Sequence, residues 1–163
     1  ITSGYFPLGA TLVNDRIAEV FEADKTGLGS IGHGYTYSAH PVGCAAGVAA
    51  LAETKRLAVN ENAAARGVEL GNALEALKAK HALVGDVRYQ GLMAGLEVVS
   101  DRDGKTPADK ATMAKLADGA YDAGVMLRVS GNNIIMSPPL IVTATDVAKI
   151  AEALDAGLSA AGK

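Results

Sequence analysis

The chain has 163 residues, enough for one domain with a real core, or for one domain and a piece of another. A formal net charge of -3 gives no broad electrostatic reason to bind nucleic acid or an anionic membrane. The longest apolar run, Val42 to Ala52, has 11 residues, about half of the roughly 20 a membrane span requires, and the single cysteine, Cys44, excludes an internal disulfide framework.

The chain opens with Ile1-Thr2-Ser3-Gly4, directly into a patterned segment with neither Met nor a charged leader and cleavage site. The expectation is a fragment of a longer, cytoplasmic protein. "LGATLV", Leu8 to Val13, reads as a short buried strand, after which Asn14-Asp15 can cap the helix "RIAEVFEA". Lys25 to Pro41 is glycine-rich and reads as a long loop, a length that in compact domains usually signals function or disorder. Val42 to Leu57 is helical by composition, with Ala and Gly on nearly every face, which suits a helix packed tightly on other backbone. A further helix is expected around Asn60 to Lys80, where Leu70, Leu74 and Leu77 keep helical spacing.

Strand and helix alternate thereafter. "LMAGLEVV", Leu92 to Val99, reads as a strand, followed by the polar turn "SDRDGKTP". Thr106 as N-cap, Pro107 at the first helical position and Asp109 two residues on predict a helix start, with Met113, Leu116, Ala117, Ala120 and Tyr121 as its apolar stripe and Gly124 as its stop. "VMLRV" and "IIMS", separated by Ser130 to Asn133, predict a hairpin that Pro138-Pro139 ends. Thr143 and Asp146 predict a capped last helix with Val147, Ile150, Ala151, Leu154 and Leu158 inward. The carboxyl half is therefore expected as β-α-β-β-α, a small α+β domain covering one face of a sheet.

Polar chemistry concentrates in "GHGYTYSAHP", Gly32 to Pro41, which holds two of the three histidines and two of the five tyrosines. His33, His40 and Cys44 are spaced seven and four apart and match no zinc pattern. Cys44, just inside an apolar helix, is expected to be a buried, inert thiol. Gly27-Leu28-Gly29 lacks the strand-to-helix context of a dinucleotide fingerprint. A loop of free amides and a hydroxyl feeding a small-residue helix is a suitable phosphate receptor, with Thr36 supplying the hydroxyl and the amides of Tyr35 and Thr36 the rest. The alternative is a capped helix entry in which Ser38 or His40 satisfies orphan donors. Arg128 stands alone in an apolar strand, where a guanidinium either binds an anion or marks an outward-facing edge position. Asn132 and Asn133 read as turn residues and His81 as a solvated helix end.

"ITSGYFPLGATLV" and "GHGYTYSAHPVGCAAGVAAL" resemble the core of the class III aminotransferases, in particular the omega-amino-acid:pyruvate branch. "VRYQGLMAGLEV" is similar to a small-domain strand of that branch, and "GVMLRVSGNNIIMSPPLIVT" to its carboxyl-terminal signature. The resemblance implies an α/β fold, the C-terminal part of a fold type I pyridoxal-phosphate-dependent transferase. Residues 1–58 would end the large cofactor-binding domain with a dimer-interface loop, and residues 59–163 would form the small α+β domain. The Schiff-base lysine would lie two residues before Ile1, so this chain would carry no catalytic lysine. Ser3, Gly4 and Pro7 look like the turn that follows that lysine. Tyr35 and Thr36 match the segment that reaches across the dimer interface to the cofactor phosphate of the neighbouring subunit, and Arg128 matches an arginine that binds the substrate carboxylate. The implied partners are a second copy of the protein in a homodimer or higher homo-oligomer, the rest of its own chain, an amine and a keto acid. A decarboxylase or aminomutase on the same scaffold, or a cofactor-free α/β interaction module, are the competing expectations.

Overall fold

The computed structural model describes residues 1–23 and 32–162. The chain forms two compact units, Ile1–Leu57 and Ala58–Lys163.

In the first unit, the first helix, α1 (Asp15–Glu22), begins where the sequence predicts, with the Asn14 side chain accepting the Ile17 N–H at 3.1 Å. Leu8 to Val13 is not a strand: it is irregular, and Leu12 and Val13 are exposed. The apolar run supplies β-propensity, but a strand also needs a ladder partner, and among the described residues this unit has no other strand. Helix α2 (Pro41–Arg56) starts with proline at its first turn and buries Gly43 and Gly47. A Cβ on Gly43 would lie 2.7 Å from the Phe6 ring, and one on Gly47 would lie 3.0 Å from Leu8 Cδ2. The glycines thus let the segment before α1 lie against the helix.

The second unit is built on an antiparallel sheet. Helix α3 (Val59–Lys80) leads into β1 (Val84–Gln90) and β2 (Met93–Asp101), a hairpin with Gly91-Leu92 at its turn. β3 (Thr106–Pro107), α4 (Lys110–Asp122), β4 (Arg128–Ser130), β5 (Asn133–Met136) and α5 (Ala144–Ala161) follow. The strand order is β1-β2-β5-β4, with β3 pairing β2. β1 is an element the sequence reading lacks, because Asp86, Arg88 and Gln90 break its apolar pattern. Helix α4 starts three residues later than predicted. Asp109, not Thr106, is its N-cap and accepts the Thr112 N–H at 2.8 Å, while Thr106-Pro107 lie along the edge of β2, where a missing N–H is tolerated. Of the predicted α4 stripe, Met113, Leu116 and Ala120 are buried, whereas Tyr121 is exposed. Thr143 and Asp146 form the reciprocal capping box the sequence predicts.

One core gathers Leu70, Leu74 and Leu77 of α3 with Val84, Leu96 and Val98 of the hairpin, Ile134 of β5, Leu116 of α4 and Leu154 and Leu158 of α5. α4 and α5 approach closely at Gly157, where an added Cβ would collide with the Leu116 carbonyl oxygen.

Candidate functional site

Each predicted site residue is placed within its own unit. In the first, Gly32 to Tyr35 lead into a turn over residues 36–39, closed by Ser38 N–H to Tyr35 O at 2.9 Å and His40 N–H to Tyr37 O at 3.2 Å. The turn requires a positive φ of 56° at Ala39, a region L residues adopt at a penalty. Thr36 is exposed at its start. The Tyr35 N–H is engaged, donating to Ser38 Oγ at 3.0 Å. Ser38 therefore satisfies a donor of the loop itself. His40 stands at the N-cap of α2, makes no capping bond, and packs its ring against Phe6 and Tyr37. Gly27-Leu28-Gly29 lies outside the described residues.

The donor set fits a phosphate in part. The exposed Thr36 hydroxyl suits a phosphate oxygen, whereas the Tyr35 amide reaches one only by exchanging its bond to Ser38 Oγ. Cys44 differs from expectation. It is exposed, because Gly43 and Gly47 are the α2 positions that bury against Phe6 and Leu8, and Cys44 is not one of them.

In the second unit Arg128 lies on β4, the edge strand, opposite Ile135 and exposed to solvent. It borders a cavity of about 330 Å³ whose walls include Leu70, Met126, Ile135, Met136 and Pro138. Arg128 is the charged member of that lining, and among the described residues no carboxylate pairs with it. An apolar recess with one planar cationic fork at its rim can take a small molecule that carries a carboxylate. Asn132 is in the β4–β5 turn, its Nδ2 donating to Val98 O at 3.0 Å, while Asn133 already belongs to β5.

His81 is not a solvated helix end. Its side chain is only 12 % exposed, and Nε2 lies 2.6 Å from Asp155 Oδ1 on α5, while Lys80 Nζ reaches Asp155 Oδ2 at 2.7 Å. The hydrogen bonds from Lys80 and His81 hold the Asp155 carboxyl below its ordinary pKa. Sequence spacing carries no signal for this cluster, since its members are 74 and 75 residues apart.

Comparison with known proteins identifies this architecture. The structure superimposes on an amine transaminase from an uncultivated Pseudomonas species in its PLP-bound form, with a TM-score of 0.90 and 43 % identity over 97 % of this chain and 36 % of that one. An (S)-enantioselective omega-transaminase from Thermomicrobium roseum gives a TM-score of 0.87 at 35 % identity, over 99 % of this chain and 36 % of that one. The fold is thus α/β, that of the C-terminal part of a PLP-dependent transaminase. The model of the aminotransferase class-III family matches residues 1–158, and the chain belongs to that family. A diaminobutyrate–2-oxoglutarate transaminase of Halomonas elongata is 37 % identical over 154 residues, 92 % of this chain and 33 % of that protein. A probable gamma-aminobutyrate transaminase 3, mitochondrial, of Oryza sativa subsp. indica is 34 % identical over 152 residues, 92 % of this chain and 30 % of that protein. The chain spans about a third of the length of these curated relatives.

Proposed function

We propose that the full-length protein is a pyridoxal-phosphate-dependent aminotransferase that moves an amino group from an amine or omega-amino acid to a keto acid such as pyruvate. The observation that carries this reading is the family match over residues 1–158, together with amine transaminases among the most similar solved structures. When bound, pyridoxal phosphate supplies an electron sink for the carbon that loses its proton. The catalytic lysine lies upstream of Ile1.

This chain contributes around that chemistry. Residues 1–58 end the large domain and carry the interface loop, and residues 59–163 are the small domain. The Thr36 hydroxyl donates to the phosphate of the neighbouring subunit's cofactor, with the Tyr35 backbone beside it; the exposure of Thr36 within its own unit supports a contact made elsewhere. Arg128 grips a substrate carboxylate with two parallel N–H donors and leaves that position for an amine without one. The protein works as a homodimer or higher homo-oligomer, in a cytoplasmic setting. Among the described residues no helix is long and apolar enough to cross a membrane.

The test is to supply the full-length protein with an arylalkyl amine and pyruvate and to measure alanine. Stoichiometric alanine and ketone are expected. Carbon dioxide release from an amino acid without alanine formation would contradict the proposal and favour a decarboxylase. In the same protein Thr36→Ala removes one charge-assisted hydrogen bond to phosphate, about 1.5–3 kcal/mol, and releases the cofactor more readily on dialysis. Unchanged retention in an intact dimer would leave Thr36 a turn residue only.

A further inference from the structure

We propose that His40 is a positioning residue for the cofactor phosphate: its ring, held between Phe6 and Tyr37, fixes the turn that carries Thr36. The proposal rests on Thr36 being a phosphate ligand.

His40 occupies the N-cap of α2 yet makes no side-chain cap bond. Its ring stacks on Phe6 with centroids 5.4 Å apart and planes 28° from parallel, and meets Tyr37 edge-on at 5.8 Å and 78°. Both are favourable aromatic geometries. Nδ1 is buried with no hydrogen-bond partner among the described residues, so within them the ring is held by its two aromatic contacts. Leaving a buried polar atom unpaired is unfavourable. What the position uses is a flat ring of this size.

The two contacts have different ends. On one side Phe6 is anchored: its ring occupies the space a Gly43 side chain would need, and its backbone is tied to buried Thr2, whose Oγ1 donates to Phe6 O at 2.5 Å and accepts the Phe6 N–H at 3.3 Å. On the other side Tyr37 is 79 % exposed and adjoins Thr36 in a turn that contains a left-handed Ala39. Among the described residues, positions 36–39 of that turn are all exposed. The His40 ring carries the rigidity of the Phe6–α2 contact to Tyr37, and through one peptide bond to Thr36. A donor held in place loses less conformational freedom when a phosphate arrives.

The test titrates full-length apoprotein with pyridoxal phosphate and, separately, with pyridoxal, which lacks the phosphate. His40→Ala is expected to weaken pyridoxal phosphate by about fivefold to 150-fold, the range of two aromatic contacts, and to leave pyridoxal unchanged. His40→Phe, which keeps the ring, restores pyridoxal phosphate affinity. Gly43→Ala, whose Cβ would meet the Phe6 ring first, displaces Phe6 and gives the same phosphate-selective loss. In a Thr36→Ala background His40→Ala adds nothing, because both act through one hydroxyl. Equal losses for the two ligands, no loss in His40→Ala, or additive losses in the double variant would overturn the proposal. Thr36→Ala with unchanged affinity overturns the Thr36 assignment together with the proposal. A phosphate-selective loss in Thr36→Ala with none in His40→Ala overturns the role of His40 alone.

Discussion

Between Ala58 and Lys163, the side chains of Leu74, Leu96, Ile134, Leu154 and Leu158 have no exposed surface, whereas between Ile1 and Leu57 those of Leu12, Val20 and Val48 are 89 %, 67 % and 70 % exposed. The difference lies in what each unit buries within this chain. In the second unit, apolar residues recur at helical spacing on α3, α4 and α5 and meet a sheet whose β1, β2 and β5 bring their own, so the three helices and those strands each have residues to bury. In the first unit, α1 buries no residue, and α2 buries only Gly43 and Gly47. The first unit is ordered by close packing of glycine against Phe6 and Leu8, by turn hydrogen bonds and by the His40 stack. The second unit holds a core of its own.

The contrast breaks most simply by excision. Residues 58–163 expressed alone are expected to unfold in one cooperative transition, and residues 1–57 alone to show none in thermal or urea melts. A cooperative transition in the short piece would mean that its exposed apolar surface is not what limits it. The contrast sharpens with single substitutions. Leu74→Ala, at a fully buried position, should lower unfolding free energy by about 2–5 kcal/mol, whereas Leu12→Ala in the isolated chain should stay within about 0.5 kcal/mol. Similar losses at both sites would show that Leu12 has a buried environment.

A smaller effect separates the two units by pH. The Asp155 carboxyl is held below its ordinary pKa by Lys80 and His81. A depressed carboxylate contributes stability that is present above its unfolded pKa, about 3.9, and is lost as pH falls through the folded value. Asp155→Asn should therefore lower the melting temperature of the second unit at pH 7, by under about 1 kcal/mol in free energy because the group is partly exposed. The difference should begin to shrink below about pH 4 and close as pH falls through the lower folded value. A gap that stays constant down to pH 2 would assign the loss to packing rather than to the ionised group.

These contrasts also explain what the sequence reveals. Leu70, Leu74 and Leu77, the Thr143–Asp146 box and the Asn14 cap are visible because the physics that sets them acts within one helical turn. The strand expected at Leu8 to Val13 fails because pairing is not a local property. Thr106 and Asp109 both have N-cap chemistry, and only the pairing of Thr106-Pro107 with β2 decides between them. The His81–Asp155 contact needs the α3 and α5 ends brought together, which no spacing rule encodes. In the site, the polar density of Gly32 to Pro41 marks the segment, but Ser38's bond to Tyr35 N–H and the His40 stack depend on turn geometry. Arg128 is visible as a charge in an apolar strand. Its edge position and the recess beside it belong to the fold.

The central claim is that this chain serves an amino-transfer reaction, with Arg128 reserved for carboxylates. Single-turnover bleaching of the cofactor absorbance in full-length Arg128→Ala, with an amino-acid donor and with an arylalkyl amine in parallel, tests it directly. The account predicts that kcat/KM for the amino acid falls by about 2–4 kcal/mol of transition-state binding while the amine is nearly unaffected, and that Arg128→Lys recovers part of the loss. Equal losses for the two donors, with a lower melting temperature, would contradict it and leave Arg128 as an edge-strand charge.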